Sequence, residues 1–356
     1  MSVSIRILAS AALMLATVAV GVAPSASLPG TDLGSRSEDW SDYPPRPAVN
    51  CEETIKPPLP RCVNFDCDDP LFKRYPPKGT RITAHCSELT VPFTIYDNEV
   101  MAMFGSADLA ALRAITEGSG YHPVATDAGR GIAMFFAAFQ RDGNTVPYFE
   151  SGIMFSVNDT PVTVASENLY VHVSEMLRPG NEVWFHKLLL SHDMPIEYGR
   201  ELLGYDKNPA AQNMVVTTDV TMSAVEQTFS FKDPQFNPVV SRRAVVDRNP
   251  ASRAESLRLL ASAPNGGDAV ARALSEGGLI RVNAVSPDVL ERTDGIVKSH
   301  LVARVKTIEL GLWDEASSLS VNAGSDYGAA LGLIDFRPVV NVYMPFRTIL
   351  DNGHLP

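Results

Sequence analysis

The sequence predicts an α+β domain dominated by strands. Segments with strand character outnumber those with helical spacing. Strands and helices do not alternate one by one, as a parallel βαβ fold requires. Hydrophobic residues make up 45% and charged residues 20%, the composition of a packed globular chain.

Taken in order, residues 1–27 read as a signal peptide. Arg6 precedes an apolar run from Ile7 to Ala23, and small residues follow at Ser25, Ala26 and Ser27. At 17 residues this run is shorter than the ~20 that span a bilayer comfortably, which favours cleavage over a retained anchor. The predicted location is secreted, periplasmic or cell-envelope. Residues 28–88 are rich in Pro, with YPPRP, KPPLP and RYPPK, and read as an extension along the main domain. Cys51, Cys62, Cys67 and Cys86 cluster there, and no cysteine follows. In an oxidising compartment they predict two disulfides, with three connectivities open. Their spacing lacks the paired short knuckles of a four-thiolate zinc site.

The main domain spans 89–356. ADLAALRAITEG, Ala107 to Gly118, predicts a helix with Ser106 or Asp108 as N-cap and Gly118 as stop. Strands are predicted at Gly131–Gln140, Ser151–Val157, Glu167–Leu177 and Val183–Ser191. Asn213 to Lys232 alternates apolar residues with Thr and Ser and predicts a hairpin. Two helices fall between Arg253 and Gly278, split by Pro264-Asn265-Gly266-Gly267. Leu279–Val285 and Leu333–Leu350 return to strand, the latter as one or two.

Several chemistries are set aside. Thirty basic against 41 acidic residues, net −11, with no basic block, argue against phosphate-directed nucleic-acid binding. Gly129 and Gly131 start a GxG, but Met134 breaks the dinucleotide fingerprint. GSDYG, Gly324 to Gly328, carries its Ser one place too early for a nucleophile elbow and reads as a turn. His192, Asp193 and Glu197 match no metal-ligand spacing and read as loop polar residues.

The informative stretch is HDMPIEYGRELLGYDKNPAA, His192 to Ala211. On composition alone Lys207 is a solvated turn lysine. GREL-x-GY-x-K, with Gly199, Arg200, Glu201, Leu202, Tyr205 and Lys207, resembles the active-site segment of the acetoacetate decarboxylase family. YFES, Tyr148 to Ser151, resembles that family's carboxylate-bearing segment. LWDEASSLSV with LIDFRPVVNVYMPFRTIL resembles its closing strands, and ADLAALRAI its early helix. The similarity covers roughly residues 90–350.

The resemblance implies an acetoacetate-decarboxylase-like β-barrel with flanking helices and a cofactor-independent Schiff-base lyase. No metal or organic cofactor is needed. Lys207 would be the imine-forming amine, and Glu150 would orient the substrate or move protons near the imine. Arg200 and Glu201 would contact a substrate carboxylate or brace the site as an ion pair, and Tyr205 would be a further substrate contact. An amine of reference pKa ~10.4 must lose its proton to attack a ketone. The implied reaction is decarboxylation of a small β-keto acid, with aldol or dehydration chemistry open to the same imine. The implied partner is that keto acid, and relatives are often homo-oligomers. No membrane association is expected after signal cleavage.

The chain departs from the family pattern at Asp206, where a Pro precedes the lysine, and at Asn208, where a second lysine often follows. The upstream Arg and Glu of decarboxylating members fall near Asn98 and Phe135. A second functional class is therefore an exported, non-catalytic small-molecule-binding protein on the same barrel. A third is a cell-wall role centred on the Pro-rich arm.

Overall fold

The structure is a computed structural model. It describes residues 69–83, 86–210, 214–232, 238–288, 295–322 and 326–351. The signal segment, most of the Pro-rich arm and Cys51, Cys62 and Cys67 lie outside the described residues. Cys86 is buried. All described residues belong to one compact unit, 48–356.

Seven strands among the described residues close into a barrel. They are β1 (Phe93–Asp108), β2 (Arg130–Gly143), β3 (Tyr148–Asn158), β4 (Asn181–Leu190), β5 (Leu279–Pro287), β6 (Ile296–Val305) and β7 (Arg337–Asp351). Round the ring, β3 pairs with β4, β4 with β5, β5 with β6, β6 with β7, β7 with β1, β1 with β2, and β2 with β3. Only the β4–β5 contact is parallel; the others are antiparallel. Closure removes the sheet edges that an open sheet would leave unpaired. The architecture is α+β, with more of the described residues in strands than in helices, as the sequence predicts.

A second sheet of four antiparallel strands is ordered Met214–Val220, Ala224–Lys232, Pro238–Asp247 and Ser318–Val321. Its apolar face lies on the outside of the barrel, where Val216, Phe229 and Val240 share a core with Phe135, Phe155 and Trp184. This explains the runs without alternation in β2 and β4. Inward residues face the barrel interior, and outward residues face a second core. Arg242 is buried in that interface near the rings of Phe135 and Phe229, and donates to the Met101 carbonyl. Burial lowers its pKa to about 9.

Asp108 caps the helix Leu109–Ile115 by accepting from Ala111 N, and Gly118 follows in the left-handed region, in line with the sequence. The hairpin at 214–232 and the helices Pro250–Ala261 and Gly267–Ser275 also follow the sequence. Three expectations are corrected. Glu167–Leu177 is not a strand: Val171–Leu177 is a helix buried on every side. A fully enclosed helix shows no polar face, so periodicity cannot separate it from a buried strand. His192 is an N-cap, accepting from Met194 N, and Asp193–Glu197 is helical rather than loop. Gly328 belongs to the helix Asp326–Leu333 rather than a turn.

Two bulges set which side chains point inward. One at Asp97 shifts the inward set of β1 from Phe93 and Ile95 to Asn98, Val100 and Ala102. The other skips His186: Phe185 pairs with Met154 and Lys187 with Ile153. The His186 imidazole lies 6.3 Å from the Phe155 ring. Burial and the neighbouring Lys187 charge lower its pKa from 6.5 to about 4, against the opposing pull of Asp206. Between those values the unfolded chain binds the extra proton. The stability contributed by neutral His186 is complete above pH 6.5 and is lost as pH falls through 4. The loss is ~3 kcal/mol at most. Denaturant midpoints measured between pH 7 and 4 should flatten in His186→Gln. An unchanged slope in that variant would refute the assignment.

Candidate active site

The chain leaves β4 and turns through the helix Asp193–Glu197 into a π-helical turn, Tyr198–Leu202. Such wide turns are rare and cluster at functional sites. Gly204 ends it at φ 73°, a conformation that favours glycine. Gly204 N donates to the Arg200 carbonyl (3.2 Å) and Tyr205 N to the Gly199 carbonyl (2.9 Å). Lys207 N then donates to the Tyr205 carbonyl (2.8 Å). Lys207–Pro209 runs parallel to Leu188–Leu190, which returns the lysine beside the strand it came from.

The Lys207 side chain points into the barrel. Its stem passes over Gly199, where a Cβ would stand 2.0 Å from Lys207 Cδ and 2.5 Å from Cε. Its Nζ lies 3.3 Å from Glu150 Oε1, with the two side chains 6% and 10% exposed. The same Nζ is 5.8 Å from the centre of the Phe93 ring. Gln140 Nε2 donates to Glu150 Oε2 (3.1 Å), and the Tyr148 hydroxyl lies 3.5 Å from the same oxygen. Burial and the Glu150 charge hold the Tyr148 phenol far above its usual range. Burial does the same to Tyr205, whose hydroxyl contacts Ser299 Oγ. Both phenols keep their protons here and are not bases.

Asp206 does not face the lysine. Its Oδ2 pairs with Lys187 Nζ at 2.9 Å, and its Oδ1 accepts from Asn208 Nδ2 at 3.0 Å. The two departures at 206 and 208 therefore bond to each other and to the outward side of β4.

Lys207 and Glu150 stand in the wall of a cavity of ≈ 130 Å³ that occupies the barrel interior. All seven strands contribute to it. Apolar residues dominate, among them Phe93, Phe136, Phe185, Val282, Leu301 and Phe346. Met176 and Leu177 of the buried helix also line it. A small barrel of this kind has room for one small ligand once its side chains are in place. The polar lining is Lys207, Glu150, Gln140, Tyr205, Asn98 and Thr348. Among the described residues no group of three His, Cys, Asp or Glu side chains is placed to hold a metal ion.

The structure thus brings together Lys207, Glu150 and Tyr205 of the residues singled out from sequence. It does not bring Arg200 and Glu201 into the cavity wall. They ride the π-helical turn whose Gly199 meets the lysine. Phe135 is also corrected: it points outward into the core beneath the second sheet, and Phe136 lines the cavity. The polar residue that β2 places at the site is Gln140, register partner of Asn98. Gln140 and Thr348 were missed. Each is a polar residue at two-residue spacing from inward apolar ones, Phe136 and Ala138 for the first, Phe346 and Leu350 for the second.

No family model matches the chain, and no curated protein does. Among solved structures it is similar to MppR, an enduracididine biosynthesis enzyme, complexed with pyruvate. That likeness has 13% identity over 73% of this chain and 88% of the other, with a TM-score of 0.46. It is similar also to an acetoacetate decarboxylase from Legionella pneumophila subsp. pneumophila str. Philadelphia 1 (14% identity, 72% and 84% covered, TM-score 0.42). A third neighbour is an acetoacetate decarboxylase-like enzyme from Sphingomonas wittichii RW1 (12% identity, 72% and 92% covered, TM-score 0.39). The solved structures similar to this chain thus include acetoacetate decarboxylases, an acetoacetate decarboxylase-like enzyme and MppR.

Proposed function

We propose that the barrel is an imine-forming lyase site acting on a small carbonyl compound. The observation that carries this reading is the buried Lys207–Glu150 pair in the wall of an otherwise apolar, ligand-sized cavity. An ion pair placed this deep costs desolvation that packed apolar side chains would avoid, so its retention calls for a chemical use.

The pair supplies what imine formation needs. Transfer of one proton from Lys207 Nζ to Glu150 Oε1, 3.3 Å away, leaves a free amine and a carboxylic acid. The amine attacks the carbonyl carbon, one of its two protons passes to the oxygen, and a neutral carbinolamine forms. The Glu150 acid returns its proton to the departing hydroxyl, water leaves, and the iminium remains beside a carboxylate. Gln140 and Tyr148, donating to the other oxygen of Glu150, hold its orientation through both transfers. The iminium then accepts the electron pair of the next bond broken. For a β-keto acid that bond releases carbon dioxide, and the enamine left behind is protonated and hydrolysed. For a β-hydroxy ketone it is the aldol carbon–carbon bond, with the hydroxyl proton passing to the Glu150 carboxylate as a second carbonyl compound leaves.

The pairing of Nζ also favours a second reading, a binding protein in which the ion pair is static. Borohydride trapping separates the two. Folded protein incubated with acetoacetate, pyruvate and small ketones should yield a reduced adduct mapped to Lys207 and missing from Lys207→Ala. Absence of any adduct at neutral and alkaline pH would refute the imine reading and leave the binding protein.

A further inference from the structure

Three residues of the cavity lining carry buried side-chain polar atoms that have no hydrogen-bond partner among the described residues. These atoms are Asn98 Oδ1, Gln140 Oε1 and Thr348 Oγ1. The residues are 1%, 5% and 1% exposed. An unsatisfied buried polar atom is costly, and the lining of this one small cavity gathers three. Their placement is built by the fold. Asn98 is turned inward by the bulge at Asp97 and sits opposite Gln140 on the next strand. Thr348 is on β7, the neighbour of β1 on its other side, between inward Phe346 and Leu350. The Gln140 amide is fixed in orientation, because its Nε2 is committed to Glu150 Oε2. Its Oε1 can only accept.

We infer that Asn98, Gln140 and Thr348 form a recognition crescent for a hydroxyl or N–H donor on the substrate. The substrate class is a small carbonyl compound bearing such a donor, of which a hydroxy ketone is the simplest. A carboxylate presented to the same side would meet the Gln140 carbonyl oxygen and the Glu150 carboxylate, which only accept, while the Asn98 amide and the Thr348 hydroxyl can also donate. The inference rests on the imine reading for the carbonyl half of the substrate; the donor half stands on the three orphaned atoms. It shifts the favoured chemistry from carbon dioxide loss towards cleavage or dehydration of a hydroxylated carbonyl compound. A cavity of ≈ 130 Å³ admits a molecule of about the size of benzene.

Matched ligands test it without requiring the imine. Affinities of 1,3-butanediol and 2-butanol are measured by calorimetry on the wild-type protein, Asn98→Ala and Thr348→Val, each checked for folding by circular dichroism. The same is done for 4-hydroxy-2-butanone and 2-butanone, with acetoacetate alongside. The donor-bearing member of each pair should bind about tenfold more tightly. That preference should shrink in at least one variant. Equal affinities within each wild-type pair, no measurable binding of either member, tighter binding of acetoacetate than of the hydroxy ketone, or a preference untouched in both variants would each overturn the crescent. Borohydride trapping with 4-hydroxy-2-butanone reads the other half. A retained preference with no Lys207 adduct leaves the crescent standing and refutes the imine reading alone.

Discussion

Replacing Gly199 by alanine is expected to cut adduct formation at Lys207 by ~100-fold or more, since displacement of a reacting group by about 1 Å suffices for such a loss. The added methyl would fall 2.0 Å from Cδ of the lysine and 2.8 Å from Cγ. The π-helical turn cannot retreat freely: Tyr198 packs on Phe93 at 4.4 Å between ring centres, and its hydroxyl donates to the Thr90 carbonyl. The lysine stem must therefore leave its path, and Nζ moves away from Glu150. The substitution should destabilise the wild-type background for the same reason. In Lys207→Ala the colliding stem is gone. There Gly199→Ala should be neutral or stabilising by up to ~1 kcal/mol, the ordinary advantage of alanine over glycine in a helix. Urea midpoints of the four proteins give this reversal of sign directly. A similar destabilisation in both backgrounds would show that Gly199 is required by the turn and not by the lysine.

The second large effect concerns the ion pair. Glu150→Leu leaves a buried ammonium and Lys207→Met leaves a buried carboxylate, each 10% exposed or less. Each single change should cost ~3–5 kcal/mol at pH 7. The double variant removes both charges and fills the cavity wall with apolar atoms. It should recover most of that cost and stand within ~1–2 kcal/mol of wild type or above it. The measurement is a double-mutant cycle by denaturant unfolding. Additive losses in the double variant would mean that the two groups do not compensate each other. A double variant that folds well and traps no ketone would separate the two roles of the pair: it is kept for chemistry, at some expense of stability.

Much of the barrel was legible because its strands have contrasting environments on their two faces. β2 and β4 read as continuous apolar runs, since one face lines the cavity and the other meets the second sheet. The helix Val171–Leu177 was not legible, because enclosure erases the polar stripe that marks a helix. At the site, Lys207, Glu150 and Tyr205 were all identified through resemblance. Arg200 and Glu201 shared that segment without sharing the cavity. The π-helical turn gives the lysine its crossing point at Gly199 and leaves the next two residues off the wall. Phe135 and Gln140 show the limit of counting along a chain. A strand with two apolar faces gives no sign of which parity points inward. The bulge at Asp97 further decouples the position of Asn98 from that of Phe93.

Closure of the ring also has a kinetic meaning. β1, the first strand of the barrel, is completed on one side by β7, so Phe93 pairs with Leu350 and Met103 with Asn341. During synthesis β1 emerges with that flank unpaired and must wait for some 240 further residues before its neighbour exists. Contacts so distant in sequence make ring closure a slow, late event. Lys207 and Glu150 are both made long before it, yet the apolar interior that gives their proximity its chemical value comes into being only with the last barrel strand. A nascent or truncated chain carries the reactive residues without the enclosed site. The timing of the proposed activity is thereby tied to the completion of folding itself.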